Sequence, residues 1–165
     1  MCNAAGGLRL EEALSLRMRD VDLAQGVLRI NDTKFRKDRL VPPARPLVVR
    51  LQKYAAALGP RADDDYFFPS PRGGRLDGGG VYRNYRELLH RSGIGHGGRG
   101  EGPRLHDLRH TFAVHVLLRW YREGADLQAR MPVLATYLGH TSIDGTQDYL
   151  QMTAELYPEI VARSD

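Results

Sequence analysis

The chain has 165 residues, 42% of them hydrophobic and 27% charged, which is the balance of one globular domain and excludes a disordered tract. Its net charge is +4 and its pI about 9.4, and arginines outnumber the three lysines (Lys34, Lys37, Lys53), which fits a polyanionic partner. A single cysteine excludes an internal disulfide. No stretch has the composition of a membrane helix or a signal peptide, so we expect a cytoplasmic protein.

The first half of the chain is predicted to be helical around one β-hairpin. Apolar residues at helical spacing indicate a helix over 10–18. Short β-type runs at 27–30 and 39–41 flank a polar stretch, which indicates a hairpin with a charged tip. Helical spacing returns over 45–58 and ends at Gly59-Pro60. Residues 59–80 are rich in Pro, Gly and Asp and are expected to be mostly loop.

The second half is predicted to be almost entirely helical, with helices over 79–91, 106–121, 126–138, 141–149 and 153–162. A glycine-rich basic loop, Gly93–Pro103, separates the first two. The residues expected in the core are Leu14, Leu108, Phe112, Val116 and Trp120. The fold class expected from these elements is mainly α with a small antiparallel β-sheet or hairpin (α+β).

The strongest local motif is His106-Asp107-Leu108-Arg109-His110. On a helix, residues 106, 109 and 110 share one face, which would present two imidazoles and a guanidinium together. A solvated polar face is one interpretation. A zinc site is another, because the two histidines have the i,i+4 spacing of zinc metalloproteases. However, Asp107 stands where those enzymes have a catalytic Glu, and Arg109 would place a cation beside the metal.

Three weaker motifs accompany it, and each has an ordinary structural interpretation when it is taken alone. Leu138-Gly139-His140 is followed nine residues later by Tyr149. Gly6-Gly7-Leu8-Arg9 is followed by Glu12. The hairpin tip carries Lys34 within Thr33–Lys37.

In this order and spacing, the motifs resemble the catalytic domain of the tyrosine recombinases, the phage-integrase family. The resemblance runs from residue 7 to residue 153. It rests on Leu8–Leu16 for the first arginine box, Asp32–Phe35 with Arg39–Pro42 for the lysine hairpin, and Pro103–Val114 for the second box. Tyr137–Ile143, followed by Thr146-Gln147 and Tyr149, resembles the third box. Here Gly6 stands where the family often has Thr.

The resemblance implies DNA strand cleavage and rejoining through a covalent 3′-phosphotyrosyl intermediate, without metal or cofactor. Tyr149 would be the nucleophile and His106 its base. Arg9, Arg109 and His140 would donate hydrogen bonds to the phosphate, whose charge grows in the transition state.

The remaining roles that the resemblance implies are a general acid and two supporting residues. Lys34 would protonate the departing 5′ oxygen. Glu12 and His110 would support the catalytic groups.

The expected partners are double-stranded DNA and further protomers of the same protein, assembled as a tetramer on DNA. The stretch from Arg72 to Arg109 contains eight arginines and only four acidic residues. The candidate DNA contacts in this basic segment are Arg72, Arg75, Arg99 and Arg104.

The sequence is read as one catalytic domain over 1–165, truncated at its N-terminus, because Arg9 comes almost at once. The clamping domain that usually precedes it is expected to be absent. The alternatives are a DNA-binding remnant that no longer recombines, an enzyme like the type IB topoisomerases, and a zinc hydrolase.

Overall fold

The structure, a computed structural model, describes residues 6–31, 38–95, 101–140 and 149. Within these ranges it contains five α-helices and one antiparallel three-stranded sheet of order β1-β2-β3. The helices are α1 (Leu10–Ser15), α2 (Arg45–Leu58), α3 (Gly78–Arg91), α4 (Asp107–Arg122) and α5 (Leu127–Leu138). The strands are β1 (Val21–Asp22), β2 (Val27–Ile30) and β3 (Arg39–Val41). The predicted mainly helical fold with a small antiparallel sheet is confirmed.

The first helix is shorter than predicted, since it ends at Ser15 and not near residue 18. Leu16 is extended, with a ψ of 132°, and its carbonyl oxygen accepts a hydrogen bond from the Phe67 amide at 2.8 Å. The Met18 amide likewise donates to the Asp65 carbonyl oxygen at 2.9 Å. The backbone therefore leaves the helix because a distant loop satisfies its polar groups, which apolar spacing alone does not show.

The sheet contains one strand that the sequence analysis missed. Val21 of β1 pairs with Leu28, which in turn pairs with Val41 of β3. Two residues are too few to show the alternation that predicts a strand. In β2, Leu28 and Ile30 are buried and Arg29 between them is exposed, as expected for a strand with one face on the core.

The described residues form two apolar clusters. One joins the sheet to α1 and α2 and includes Phe67, from the loop predicted over residues 59–80. The other lies between α4 and α5 and includes Tyr149. Tyr137 packs against both clusters, so the C-terminal end of α5 lies where they meet.

The buried stripe of α4 differs from the predicted one. Its buried residues are Arg109, Ala113, Val114, Leu117 and Leu118. The predicted core residues Leu108, Phe112, Val116 and Trp120 are only partly buried, whereas Leu14 is buried as predicted. Both sets have helical spacing, so periodicity could not decide between two neighbouring faces of one helix.

None of the helices in the described ranges has the length and apolar character needed to span a membrane. The predicted helices over 141–149 and 153–162 lie outside those ranges, apart from Tyr149, whose backbone is helical.

Candidate active site

The site is built on the C-terminal end of α5. Gly139 ends the helix in the left-handed conformation, with φ of 70° and ψ of 43°, and the His140 amide donates back to the Ala135 carbonyl oxygen at 3.0 Å. The last turn of a helix leaves carbonyl groups without partners inside the helix, and it carries a partial negative charge. Both features attract cations to this end of α5.

Three guanidinium groups bind those carbonyl groups. Arg39 donates from Nε to the Tyr137 oxygen at 3.0 Å and from Nη2 to the Leu138 oxygen at 3.3 Å. Arg109 donates from Nη2 to the same Leu138 oxygen at 2.6 Å. Arg9 donates from Nη2 to the Gly139 oxygen at 2.8 Å. Residues from three separate parts of the sequence therefore converge on one helix end.

Arg9 is held from its other side by Glu12. Its Nη1 lies 3.0 Å from Oε1 of Glu12, and its backbone amide donates to Oε2 at 2.8 Å. Glu12 thus caps α1 and orients Arg9 with one carboxylate. The Arg9 side chain keeps 40% of its surface exposed, so this guanidinium remains accessible to a ligand from solvent.

Arg109 is the most enclosed charged group of the site, with 1% of its surface exposed. Its Nη1 donates to the Gly7 carbonyl oxygen at 2.7 Å and its Nη2 to that of Leu138, so it connects the residue just before the first arginine box to the end of α5. Burial, followed by the nearby Arg9 cation, lowers the pKa of Arg109, while the Glu12 carboxylate and a side-chain hydrogen bond with Tyr149 oppose that shift. Arg109 lies near His106 and His110, as the shared helix face predicts, but it is not solvated, because two backbone carbonyls satisfy the buried guanidinium.

Tyr149 lies beside this buried guanidinium, with 3% of its surface exposed. Its ring stacks on the His140 ring at 5.7 Å between centroids and 19° between planes. On another side it contacts the His110 ring at 5.1 Å, and His110 contacts His106 at 4.7 Å. The four rings form one continuous aromatic group next to Arg109.

Each of the three imidazoles, those of His106, His110 and His140, has a pKa below its ordinary value. Burial, followed by the cations Arg109, Arg9 and Arg39, lowers the pKa of His140 to about 4. His106 is exposed, and partial desolvation followed by the charges of His110, Arg109 and Arg104 lowers its pKa. The pKa of His110 also falls, mainly by burial. These rings are therefore neutral near pH 7 and can accept a proton or donate one hydrogen bond each.

The other predicted site residues are not all brought to this cluster. Lys34 and Arg99 lie outside the described residues. Arg72 is exposed on the loop before α3. Arg75 forms an ion pair with Glu11, and Arg104 one with Asp107 at 2.9 Å. Their contact with DNA stays a prediction.

A zinc site at His106 and His110 would need a third ligand, and the described residues supply none. Among them, no group of three or more His, Cys, Asp or Glu side chains could hold a metal ion.

Arg39 is the site residue that the sequence analysis missed. Its side chain is 8% exposed and lies between Glu12 and the end of α5. A signal was present in the sequence, because Arg39 stands two positions before Val41 and so shares its face of β3. Val41 is fully buried, and an arginine on a buried face requires a partner.

The fold is the one that tyrosine recombinase catalytic domains share, and it brings this group of arginines, histidines and one tyrosine together. The sequence model of the phage integrase family matches residues 1–155, and the chain belongs to that family. It is 40% identical to y4rB of Sinorhizobium fredii over 97% of this chain and 52% of that one, and 32% identical to the tyrosine recombinase XerA of Pyrococcus furiosus over 96% and 51%. The chain spans about half the length of these curated relatives.

Solved structures give the same result for the fold. A crystal structure of XerA recombinase superposes with a TM-score of 0.73 at 32% identity, covering 96% of this chain and 54% of that one. The XerH site-specific recombinase in a post-cleavage complex superposes with a TM-score of 0.69 at 22% identity, over 98% and 43%.

Proposed function

We propose that this chain is the catalytic domain of a site-specific recombinase, which cleaves and rejoins DNA strands through a 3′-phosphotyrosyl intermediate. The observation that carries the proposal is the convergence of Arg9, Arg109, His140 and Tyr149 on the end of α5. Family membership and the similarity to XerA, a tyrosine recombinase, support it.

The two arginines differ in what they can supply to a DNA phosphate. Arg9 is partly exposed and can turn donors toward a non-bridging oxygen while Glu12 holds its other edge. Arg109 is buried and already bonded, so it contributes a fixed positive charge beneath the site. Such preorganised charge stabilises the pentacoordinate transition state, where negative charge is greatest. His140 adds a further donor.

Tyr149 supplies the nucleophilic oxygen. Its phenolic oxygen forms a bond to phosphorus as the bond from phosphorus to the 5′ oxygen breaks, and its proton passes to an imidazole. His106 is the proposed base, and the His110 ring, which touches both, lies on the route between them. The lowered pKa of both histidines leaves them neutral and able to accept that proton. Lys34 would protonate the departing 5′ oxygen.

The 3′-phosphotyrosyl bond conserves the energy of the broken phosphodiester bond, so the 5′-hydroxyl of another strand can reverse the step without a cofactor. The proposed partners are double-stranded DNA and further protomers, assembled as a tetramer on DNA in the cytoplasm. The basic segment around Arg72, Arg75, Arg99 and Arg104 would contact DNA phosphates. The described chain would serve as one catalytic domain over 1–165.

Covalent capture tests the proposal without knowledge of the target sequence. The chain is immobilised and incubated with nicked duplexes whose central positions are randomised, and a denaturing wash then removes all DNA that is not covalently bound. We expect the wild-type chain to retain DNA at least about tenfold above background, and Tyr149→Phe to retain none. Tyr121→Phe is the matched control, because Tyr121 is a half-buried tyrosine on α4 outside the site.

Two outcomes would replace the proposal. Background retention by the wild-type chain, even when a clamping domain is supplied, together with DNA binding in a native wash, would indicate a domain that binds DNA without cleaving it. Covalent capture with relaxation of supercoils but no strand exchange would indicate a topoisomerase.

A further inference from the structure

Arg39 connects three parts of the site by hydrogen bonds to groups far from it in sequence. Its Nη2 lies 2.9 Å from Oε2 of Glu12 on α1, and its Nε and Nη2 bind carbonyl oxygens of Tyr137 and Leu138, nearly 100 positions away. Its side chain is almost fully enclosed. Burial of a charge is costly unless the charge is paired and hydrogen-bonded, so this arrangement has a narrow geometric tolerance.

Glu12 couples Arg39 to Arg9. One carboxylate oxygen accepts from the Arg9 guanidinium, and the other accepts from Arg39 and from the Arg9 backbone amide. Arg39 therefore keeps Oε2 directed away from the Arg9 side chain. Without Arg39, only the Arg9 backbone amide holds Oε2, and the carboxylate can turn both oxygens toward the Arg9 guanidinium, which would draw that guanidinium off the Gly139 oxygen.

Gly139 couples Arg39 to His140. A Cβ atom at residue 139 would lie 2.6 Å from Cζ of Arg39, so the guanidinium packs directly on the glycine Cα. The Arg39 side chain thus covers the left-handed turn from which His140 leaves α5 and stacks on Tyr149. Any shift of this turn moves the His140 ring.

We propose that Arg39 is a positioning residue for the strand-cleavage site: its planar fork fixes Glu12 and the turn at Gly139 together, so that Arg9 and His140 face one phosphate. This inference rests on the proposed function. It requires an arginine, because a lysine ammonium is a point charge that cannot hold the carboxylate and two carbonyl oxygens in one plane.

The main test uses the full chain and a nicked duplex recovered by covalent capture. Single-turnover cleavage is measured at saturating protein for Arg39→Met and Arg39→Lys, with Arg119→Met as the matched control, since Arg119 is an exposed arginine on α4 that is paired with Glu123. We expect both Arg39 variants to cleave about 10- to 100-fold more slowly, with DNA affinity changed by less than about twofold. The control should cleave at the wild-type rate.

A neutral substrate separates positioning from general loss of structure. In a methylphosphonate duplex, one non-bridging oxygen of the scissile phosphate is replaced by methyl, which removes the charge that Arg9 and His140 would bind. We expect Arg39→Met to slow cleavage of this substrate by less than about threefold. Equal losses on both substrates, or full activity of Arg39→Lys, would overturn the proposal.

Amide hydrogen exchange supplies a result that does not depend on cleavage. In Arg39→Met, we expect the Gly139 and His140 amides to exchange at least about tenfold faster, with Leu134 earlier in α5 unchanged. Unchanged exchange at residues 139 and 140 would overturn the positioning role even if the chain cleaves DNA. Faster exchange there in a chain that forms no covalent adduct would support the positioning role and refute only the proposed function.

Discussion

Arg109 should stabilise the fold as much as it serves the site, and Arg109→Met tests that dual role. The guanidinium is buried and satisfies two carbonyl groups, those of Gly7 and Leu138, at 2.7 and 2.6 Å. Methionine fills a similar volume but leaves both carbonyls buried without these donors. Each unsatisfied buried group costs about 1–3 kcal/mol.

The net cost is smaller than the sum of the two losses. Removal of a buried charge also removes its desolvation penalty, which offsets part of the loss. We therefore expect Arg109→Met to lower the free energy of unfolding by about 2–4 kcal/mol, a large part of the roughly 5–15 kcal/mol that holds a domain together. Urea denaturation, monitored by circular dichroism, measures this difference. The slope of the unfolding free energy against urea concentration, the m-value, checks that unfolding stays two-state.

Arg119→Met is the control for the same substitution on the same helix. The Arg119 side chain is 68% exposed and its ion pair with Glu123 spans 3.8 Å, so we expect a change below about 0.5 kcal/mol. If the two variants unfold at the same urea concentration, the connection between Gly7 and Leu138 contributes nothing and the reasoning is wrong.

Three further predictions concern the site and its surroundings. Gly139→Ala should lower the free energy of unfolding by about 2–4 kcal/mol, because the new methyl group would overlap Arg39 and the residue would keep a strained left-handed conformation. Gly124→Ala is the control, since it has a φ of 72° and open space around it, and it should lose only about 1 kcal/mol in the same urea titration. Because His140 has a folded pKa of about 4 against 6.5 unfolded, the stability that its neutral ring contributes is complete above pH 6.5 and is lost as pH falls toward 4. The full shift corresponds to about 3 kcal/mol, which solvent screening of the half-buried ring reduces to about 1–2, so unfolding of His140→Gln at pH 4.5 and 7 should show a pH dependence weaker by that amount. Arg72→Ala should reduce the slope of log affinity for duplex DNA against log salt by about one in fluorescence anisotropy, and an unchanged slope would remove this arginine from the interface.

Most helices follow from local sequence alone. The predicted helices over 45–58 and 79–91 match α2 and α3 to within a residue, because proline and glycine mark their ends and local spacing marks their length. α1 was predicted too long because the Leu16 carbonyl bonds to the Phe67 amide, a partner 51 positions away. Long-range hydrogen bonds of this kind leave no periodic signal.

The site shows the same division between local and long-range information. The motifs containing Arg9, Arg109, His140 and Tyr149 were visible in the sequence because each includes a distinctive residue combination. The burial of Arg109 could not be predicted, and the alternation along β3 indicates an inward-facing Arg39 without showing what it binds. Both arginines bind carbonyl groups that only the end of α5 exposes. An arginine in a short strand usually indicates a solvated edge, so the partners of Arg39 had to come from the structure.

The central claim is that the oxygen of Tyr149 becomes bonded to a DNA phosphorus. The most direct measurement is mass spectrometry of the peptide that carries DNA after covalent capture, digestion and removal of all but the last nucleotide. We expect a nucleotide linked through its 3′ phosphate to the peptide that contains residue 149, together with a free 5′-hydroxyl on the released strand. A nucleotide attached to any other residue, or a 5′-phosphate on the released strand, would contradict the claim.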